Sequence, residues 1–249
     1  MRYAIYFAAD AEDPLTRLGN SWLGRDPFKG LDLETVQIDG FDRERLGDLT
    51  SSPRRYGFHG TLKAPFNLAE GKTEAELLKA CDAFARTMAP FEIKGLGVNR
   101  LGRFLALTPE VEEPGLSAFA GECVRFFEPF RAPLAQGDLY RRRQSGLTSR
   151  QDAHLVDWGY PYIFEDFRFH MTLSNKLEDE AEASILKQAA EDHFKEVTGR
   201  PRLCRHFAVY SESHRGAPFQ IEKLFELSGT LSPLEAQEKT DRKTRKENA

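Results

Sequence analysis

Two stretches of the sequence, FHGTLKAPF at residues 58–66 and FHMTLSNKL at residues 169–177, carry the same phrase F-H-x-T-L. Alternate side chains of a β-strand point to opposite faces. Each copy therefore puts its phenylalanine and leucine on one face and its histidine and threonine on the other. The polar pairs are His59 with Thr61 and His170 with Thr172. We expect each copy to form a strand that packs its apolar face on a core and presents an imidazole beside a hydroxyl.

The elements that follow the two copies also repeat. A segment with helical spacing of apolar residues comes next, at 73–88 after the first copy and at 178–197 after the second. Two alternating segments then predict a hairpin in each half. These segments are 91–99 and 103–109 in the first half, and 202–212 and 219–229 in the second. The repeated order predicts an α+β fold, duplicated into two lobes, with two antiparallel sheets facing a central cleft and helices outside.

The repeat also sets the expected boundaries. Residues 1–230 are predicted to form one two-lobed domain, with lobe one at about 1–130 and lobe two at about 131–230. The first residues, MRYAIYFAAD, are expected to form a strand and not a secretory signal. Residues 231–249 are rich in charged side chains of both signs, so we expect a disordered tail.

Composition narrows the class of protein. The chain has 249 residues, 40% of them apolar, which indicates a globular protein with a substantial core. No apolar run is long enough to cross a bilayer, so no membrane association is expected. The three cysteines, Cys81, Cys123 and Cys204, are too far apart for a metal-ligand motif or a disulfide framework, and we expect reduced thiols in a cytoplasmic protein. The net charge of −4 disfavours an extended nucleic-acid surface, and no obligate protein partner is evident.

Two imidazoles that face each other across a cleft can act on one phosphorus atom. A neutral imidazole accepts a proton from the attacking water, and an imidazolium donates one to the leaving oxygen. The threonine hydroxyls can donate hydrogen bonds to the non-bridging oxygens of a phosphate. No Asp or Glu lies on the motif faces, so neither a metal nor another cofactor is expected. The sequence leaves open which histidine is the acid and which is the base.

Four further residues are candidates for substrate binding. Lys63, Arg55 and Arg168 share the motif faces and could contact a phosphate, and Tyr6 in the first strand could stack on a base or bond a phosphate. Each has an alternative explanation as an exposed or packed side chain. The run Arg141–Arg143 in the connector between the halves could hold an anionic substrate, although such runs are usually solvated.

The paired motifs resemble those of the 2H phosphoesterase superfamily. The longer form of the first motif, RRYGFHGTLKAPF, is similar to a bacterial subfamily of unknown function that is encoded in phosphonate-utilisation operons. The resemblance implies that His59 and His170 are the catalytic pair and that Thr61 and Thr172 hold the phosphate. The superfamily acts on cyclic phosphates and 2′,5′-linked phosphodiesters, generally without a metal.

Two classes of function follow. The first is a hydrolase: a metal-independent phosphodiesterase acting on a small cyclic phosphate, such as a phosphonate-pathway metabolite or a cyclic nucleotide. The second is a binding module that holds a phosphorylated metabolite or an RNA end without turnover. A third option is an RNA 2′,3′-cyclic phosphodiesterase or ligase, which the acidic net charge disfavours.

Overall fold

A computed structural model describes residues 1–247 of the chain. The strands in this part of the chain are β1 (Arg2–Phe7), β2 (Arg25–Asp26), β3 (Leu31–Asp32), β4 (Gly60–Phe66), β5 (Phe91–Ile93), β6 (Leu96–Leu101), β7 (Phe104–Pro109), β8 (Met171–Thr172), β9 (Arg202–Cys204), β10 (His206–Glu212) and β11 (Gln220–Glu226). The helices are α1 (Pro14–Leu23), α2 (Arg43–Tyr56), α3 (Glu74–Ala85), α4 (Pro114–Phe126), α5 (Gln136–Arg143), α6 (Ser149–Trp158), α7 (Glu180–Phe194) and α8 (Pro233–Glu247). Short 3₁₀ turns cover Glu128–Phe130 and Phe164–Asp166.

Capping residues explain where several helices begin. Thr73 and Glu76 form a capping box at the start of α3, where the predicted helical segment 73–88 begins. Thr148 and Gln151 form another at the start of α6, which ends at Gly159 with a φ of 75°. Both helices therefore begin and end close to the positions that their local sequence indicates.

One seven-stranded sheet runs through the molecule in the order β11-β10-β1-β4-β8-β7-β6, and its neighbouring strands pair antiparallel. The two motif strands, β4 and β8, are neighbours at its centre, where Gly60 lies opposite Met171. The α+β class is confirmed. The two expected sheets correspond to two halves of this one sheet, the strands β11-β10-β1-β4 and the strands β8-β7-β6. The halves are joined where the motif strands β4 and β8 pair.

The strand of the second motif is shorter than predicted. The second copy of the phrase is expected to form a strand, and β8 comprises only Met171–Thr172. Beyond it, the backbone N–H of Leu173 donates to Leu105 O at 2.8 Å, and the N–H of Leu105 donates to Ser174 Oγ at 2.9 Å. The hydroxyl of Ser174 thus takes the place of a backbone carbonyl in the hydrogen bonds to β7, and residues 173–174 stay beside that strand.

The hairpins are exchanged between the two halves of the sequence. The hairpin of the second half, β10–β11, pairs through β1 with the first motif strand β4, and the hairpin of the first half, β6–β7, pairs with β8. The lobes therefore do not follow the expected division at about residue 130. The reason is that β1 and β8 occupy both edges of β4, so its own hairpin has no edge to join.

The expected disorder of residues 231–249 is wrong for most of that segment. Residues Pro233–Glu247 form α8, which packs on α4. Ser232 and Glu235 hydrogen-bond each other at the helix start, and Thr240 Oγ1 donates to Glu122 Oε2 at 2.8 Å. Capping and this contact offset the shortage of apolar side chains. Residues 248–249 lie outside the described part of the chain.

The sheet is buried on both faces near β1. Tyr3, Ile5 and Phe7 point into the main core, and the alternate residues Ala4 and Tyr6 belong to a second apolar cluster with Tyr210 and Phe219. The three cysteines are free and buried. In the described residues, the helices lack an apolar stretch long enough to traverse a lipid bilayer.

We expect Gly60→Ala to destabilise the protein by about 1–3 kcal/mol, the usual range for overpacking a core. A Cβ at position 60 would lie 2.5 Å from Cε2 of Phe169, a ring that is itself buried edge-on against Phe7. Denaturant unfolding measures the change. Gly47→Ala in α2 is the control, because nothing lies within 4 Å of a Cβ there; a similar loss in both variants would contradict the packing argument.

Candidate active site

A cavity of about 300 Å³ lies where the two motif strands meet. His59, Thr61, His170 and Thr172 all line it. The structure therefore brings together the four residues that the repeated phrase singles out, although they come from distant parts of the chain. Their catalytic roles stay a prediction.

The ring of His59 is held by its own backbone turn. Nδ1 lies 2.8 Å from the carbonyl oxygen of Gly57. Because a carbonyl can only accept, Nδ1 carries the hydrogen in this arrangement, and Nε2 keeps its lone pair. Thr61 Oγ1 lies 3.3 Å from that Nε2. Gly57 has a φ of 76°, a backbone conformation that favours glycine, and it ends α2 immediately before the motif.

His170 is anchored in the same way. Its Nδ1 lies 2.8 Å from the carbonyl oxygen of Arg168, again two residues earlier in the chain. The same reasoning places the hydrogen on Nδ1 and leaves Nε2 as the reactive nitrogen. The aromatic ring of Phe104 lies beside the imidazole, with 5.8 Å between ring centroids. Both motifs thus fix their histidine in one tautomer with equivalent geometry.

Aromatic packing keeps His59 uncharged. Tyr6 stacks on the imidazole with 3.9 Å between ring centroids and 24° between the planes, and the rings of Tyr56 and Tyr210 lie about 6 Å away. Burial lowers the pKa of His59 from 6.5 to about 4; the hydrogen bond to Gly57 acts in the opposite direction, and the charge of His170 lowers the pKa further. His59 is therefore a neutral proton acceptor at pH 7.

Tyr6 lines the cavity, but its partner differs from the one expected. The sequence predicts stacking on a substrate base or a bond to phosphate, whereas the ring packs under the His59 imidazole. Tyr6 lies opposite Thr61 in the β1–β4 register, which puts both residues on the cavity face.

Lys63 does not reach the cavity, so its predicted place on the face of His59 is wrong. Its Nζ is buried and donates to Val124 O at 2.9 Å and to Glu128 Oε2 at 2.7 Å. The register between β1 and β4 shifts between Ile5 and Tyr6, so that Ile5 lies opposite Lys63 and Tyr6 opposite Thr61. This irregularity turns Lys63 to the core side of the sheet.

The two candidate arginines also lie outside the cavity. Arg55 Nη1 donates to Glu212 Oε1 at 2.7 Å, and its guanidinium lies 4.3 Å from the ring centroid of Tyr56, so it supports a residue that lines the cavity. Arg168 contributes its carbonyl to His170, and its side chain lines a neighbouring cavity of about 460 Å³. Neither arginine lines the cavity that contains the four motif residues.

Other residues of the cavity wall supply aromatic rings and guanidinium groups. Tyr56, Tyr160, Arg2 and Arg142 line the cavity with the two motifs. Tyr56 stands three positions before His59 inside the longer motif, and Arg142 lies in the basic run of the connector, so both had a signal in the sequence. Arg2 and Tyr160 had none, because only the strand pairing and the path of the connector bring them here.

The cavity is suited to an anion. The described residues that line it offer imidazole, hydroxyl and guanidinium groups and include no Asp or Glu. In residues 1–247, no group of three His, Cys, Asp or Glu side chains is arranged to hold a metal ion.

Sequence comparison matches the chain to a protein family and to two curated relatives. The family described as "Protein of unknown function (DUF1045)" matches residues 61–220, more than half of the chain. A ribose 1,5-bisphosphate phosphokinase PhnN from Janthinobacterium sp. (strain Marseille) is 40% identical over 222 residues, which are 88% of this chain and 49% of that protein. A protein of the same name from Laribacter hongkongensis (strain HLHK9) is 32% identical over 224 residues, 90% of this chain and 51% of that protein. The chain spans about half the length of the curated relatives it matches.

Solved structures match at a more distant level. TT0787 of Thermus thermophilus aligns over 93% of this chain and 100% of its own, with 16% identity and a TM-score of 0.44. LigT of E. coli, complexed with NADP+, aligns over 91% of this chain and 97% of its own, with 16% identity and a TM-score of 0.40. Similarity of this degree gives no basis for transferring an activity.

We expect the His59 imidazole to titrate near pH 4 in an NMR titration, since burial under Tyr6 disfavours its charged form. Tyr6→Ala should admit water and raise the pKa of His59 toward 6.5, so that the ring becomes protonated at a higher pH. Phe225→Ala, which also removes a stacked ring but on the core side of the sheet, is the control and should leave the titration in place. Wild-type titration near 6.5 would contradict the proposed cause.

Proposed function

The chain belongs to the DUF1045 family, and we propose that it is a metal-independent phosphodiesterase that opens a small cyclic phosphate, with His59 as general base and His170 as general acid. One observation carries the proposal: two imidazoles, each anchored through Nδ1 to the carbonyl two residues earlier, line one cavity, and the described residues around it include no carboxylate. The resemblance of the paired motifs to the 2H phosphoesterase superfamily supports it.

The proposed reaction adds one water molecule to the substrate. Nε2 of His59 takes a proton from water as the water oxygen forms a bond to phosphorus, and the bond between phosphorus and one ring oxygen breaks. His170 takes part as an imidazolium, with Nδ1–H held by the Arg168 carbonyl, and it gives the second ring proton, on Nε2, to that leaving oxygen. The product carries a phosphomonoester and a free hydroxyl on the same molecule. Burial lowers the pKa of His59, so its imidazole is neutral when the reaction starts, the form in which Nε2 can accept a proton.

In the proposed reaction, the threonine hydroxyls hold the phosphate. Thr61 Oγ1 contacts His59 Nε2 at 3.3 Å in the free protein, and a bound phosphate would offer it a stronger, charged acceptor. Thr172, paired beside Ala106 at the sheet centre, lines the same cavity from the other strand. Hydrogen bonds from both would stabilise the charge that develops on the non-bridging oxygens.

The names of the curated relatives favour a ribose substrate. Those proteins are named for phosphorylating ribose 1,5-bisphosphate, and this chain matches about half of their length. A hydrolase that opened a 1,2-cyclic phosphate on ribose 5-phosphate at the bond to O2 would produce ribose 1,5-bisphosphate. We therefore propose this cyclic ester as the substrate, which is consistent with a role in phosphonate metabolism.

A second candidate is action on RNA 2′,3′-cyclic phosphate ends. The neighbouring cavity of about 460 Å³ shares Thr61, Tyr160 and His170 with the site and is lined by Phe104 and Tyr162, so it could take a nucleoside. A binding module without turnover remains the alternative to both. The three proposals predict different results. The first predicts product from the ribose ester, the second predicts product from the RNA end, and the binding module predicts saturable binding with no product.

We expect His59→Ala and His170→Ala each to lower kcat/KM on the true cyclic substrate by at least about 100-fold, the loss typical of a missing general acid or base. His214→Ala is the control, since this histidine lies at the β10–β11 turn and contacts Ser213. Circular dichroism should show an intact fold in all three variants. Retained turnover in either motif variant would contradict the two-histidine mechanism.

We expect wild-type turnover to persist in EDTA, because the proposed chemistry uses only imidazoles and hydroxyls. The measurement is product release from ribose 5-phosphate 1,2-cyclic phosphate and from an RNA 2′,3′-cyclic end, before and after dialysis against the chelator. Activity that disappears with EDTA and returns with a divalent metal would contradict a metal-independent reaction.

A further inference from the structure

Two arginines belong to the cavity wall but not to the motifs. Arg2 at the start of β1 and Arg142 in the last turn of α5 line the cavity, together with the rings of Tyr56 and Tyr160. Arg2 and Arg142 also line a small adjoining space of about 30 Å³. The positive charge near the histidines thus comes from two elements that the proposed proton transfers do not use.

Arg142 differs from the arginines on either side of it. Arg141 forms an ion pair with Asp138, and Arg143 forms one with Asp152 at 2.6 Å. Among residues 1–247, no carboxylate ion pair is found for Arg142, and its guanidinium lies 5.0 Å from the ring centroid of Tyr160. The aromatic ring orients the guanidinium without neutralising it. The middle arginine of the run is therefore the one free to bind an anion.

Arg2 adds positive charge although it has a carboxylate partner. It pairs with Glu212, which is fully buried and also accepts from Arg55 Nη1 at 2.7 Å. One carboxylate thus serves two guanidiniums, which leaves this cluster with a net charge of about +1. Since no Asp or Glu of the described residues lines the cavity, nothing there cancels this charge or that of Arg142.

Ion pairs fix the helix that carries Arg142. Asp138 in the first turn of α5 accepts from Arg215 Nη2 of the β10–β11 turn at 2.8 Å. Arg143 in the last turn binds Asp152 of α6. Both ends of this short helix are therefore tied to neighbouring elements, and Arg142 is held at the cavity before any ligand arrives.

We propose that Arg142, assisted by Arg2, binds a second anionic group of the substrate, a phosphomonoester separate from the cyclic phosphate at the histidines. This inference rests on the proposed function and narrows its substrate to sugars that carry both groups. A cyclic phosphodiester bears a single negative charge, which the motif hydroxyls can hold. A phosphomonoester bears nearly two at pH 7 and is the kind of group that a fixed guanidinium binds through paired hydrogen bonds.

The binding test uses ribose 5-phosphate and ribose as probes, in a protein that already carries His59→Ala and His170→Ala so that the motif site is impaired. Arg142→Gln should weaken ribose 5-phosphate binding by about tenfold or more in calorimetry, because a charge-assisted hydrogen bond is lost. Arg141→Gln is the matched control, because Arg141 pairs with Asp138 inside its own helix, and it should change binding less than about twofold. Equal losses in the two variants, or no binding of ribose 5-phosphate before substitution, would overturn the inference.

A turnover test separates this inference from the proposed function. In otherwise wild-type protein, Arg142→Gln should lower kcat/KM for ribose 5-phosphate 1,2-cyclic phosphate by about tenfold and leave that for the ester without the 5-phosphate within about twofold. An equal fall on both esters would overturn the inference while the hydrolase stands. If neither ester is turned over but the binding difference holds, the hydrolase proposal fails and the anion site stands.

Discussion

The pairing of β4 with β8 is the contact on which the site depends. It is short, with Gly60 opposite Met171, and it brings a histidine and a threonine from each half of the sequence to one cavity. The two motifs differ at the variable position of the phrase for a reason. A glycine in the first lets the ring of Phe169 from the second lie against the backbone, where a Cβ would not fit. The shared residues bring a histidine and a threonine from each motif to the cavity, and the difference at the variable position permits the contact between the strands.

Local physical chemistry made part of this structure predictable. The capping residues Thr73 and Thr148 mark helix starts that the structure shows, and the period of two in each motif separates the apolar from the polar face. The prediction fails where pairing between distant strands decides the outcome. Lys63 has the spacing of a cavity residue, yet the register shift opposite Ile5 turns it to Glu128. A bulge leaves no mark in the pattern of apolar residues.

The other residues of the cavity could not be predicted from any one segment, because contacts between distant segments bring them there. Tyr6 is predictable as a strand residue, but its place beneath His59 follows from the β1–β4 register. Arg142 is visible as one of three consecutive arginines, and only its neighbours' carboxylates distinguish it from them. Helix α8 was predicted to be disordered because its segment is poor in apolar residues. It forms because its first turn is capped and because it packs on α4.

The exchange of hairpins has a consequence for the order in which the protein can fold during synthesis. Strand β1 is synthesised long before its partner β10, since Arg2 lies opposite Glu212. Hairpin β6–β7 can form early, but the other edge of β7 stays unpaired until β8 has been synthesised. Neither side of the sheet can be completed by a nascent chain that stops midway. The cavity should therefore assemble only after β8 and β10 have been translated, in one cooperative step.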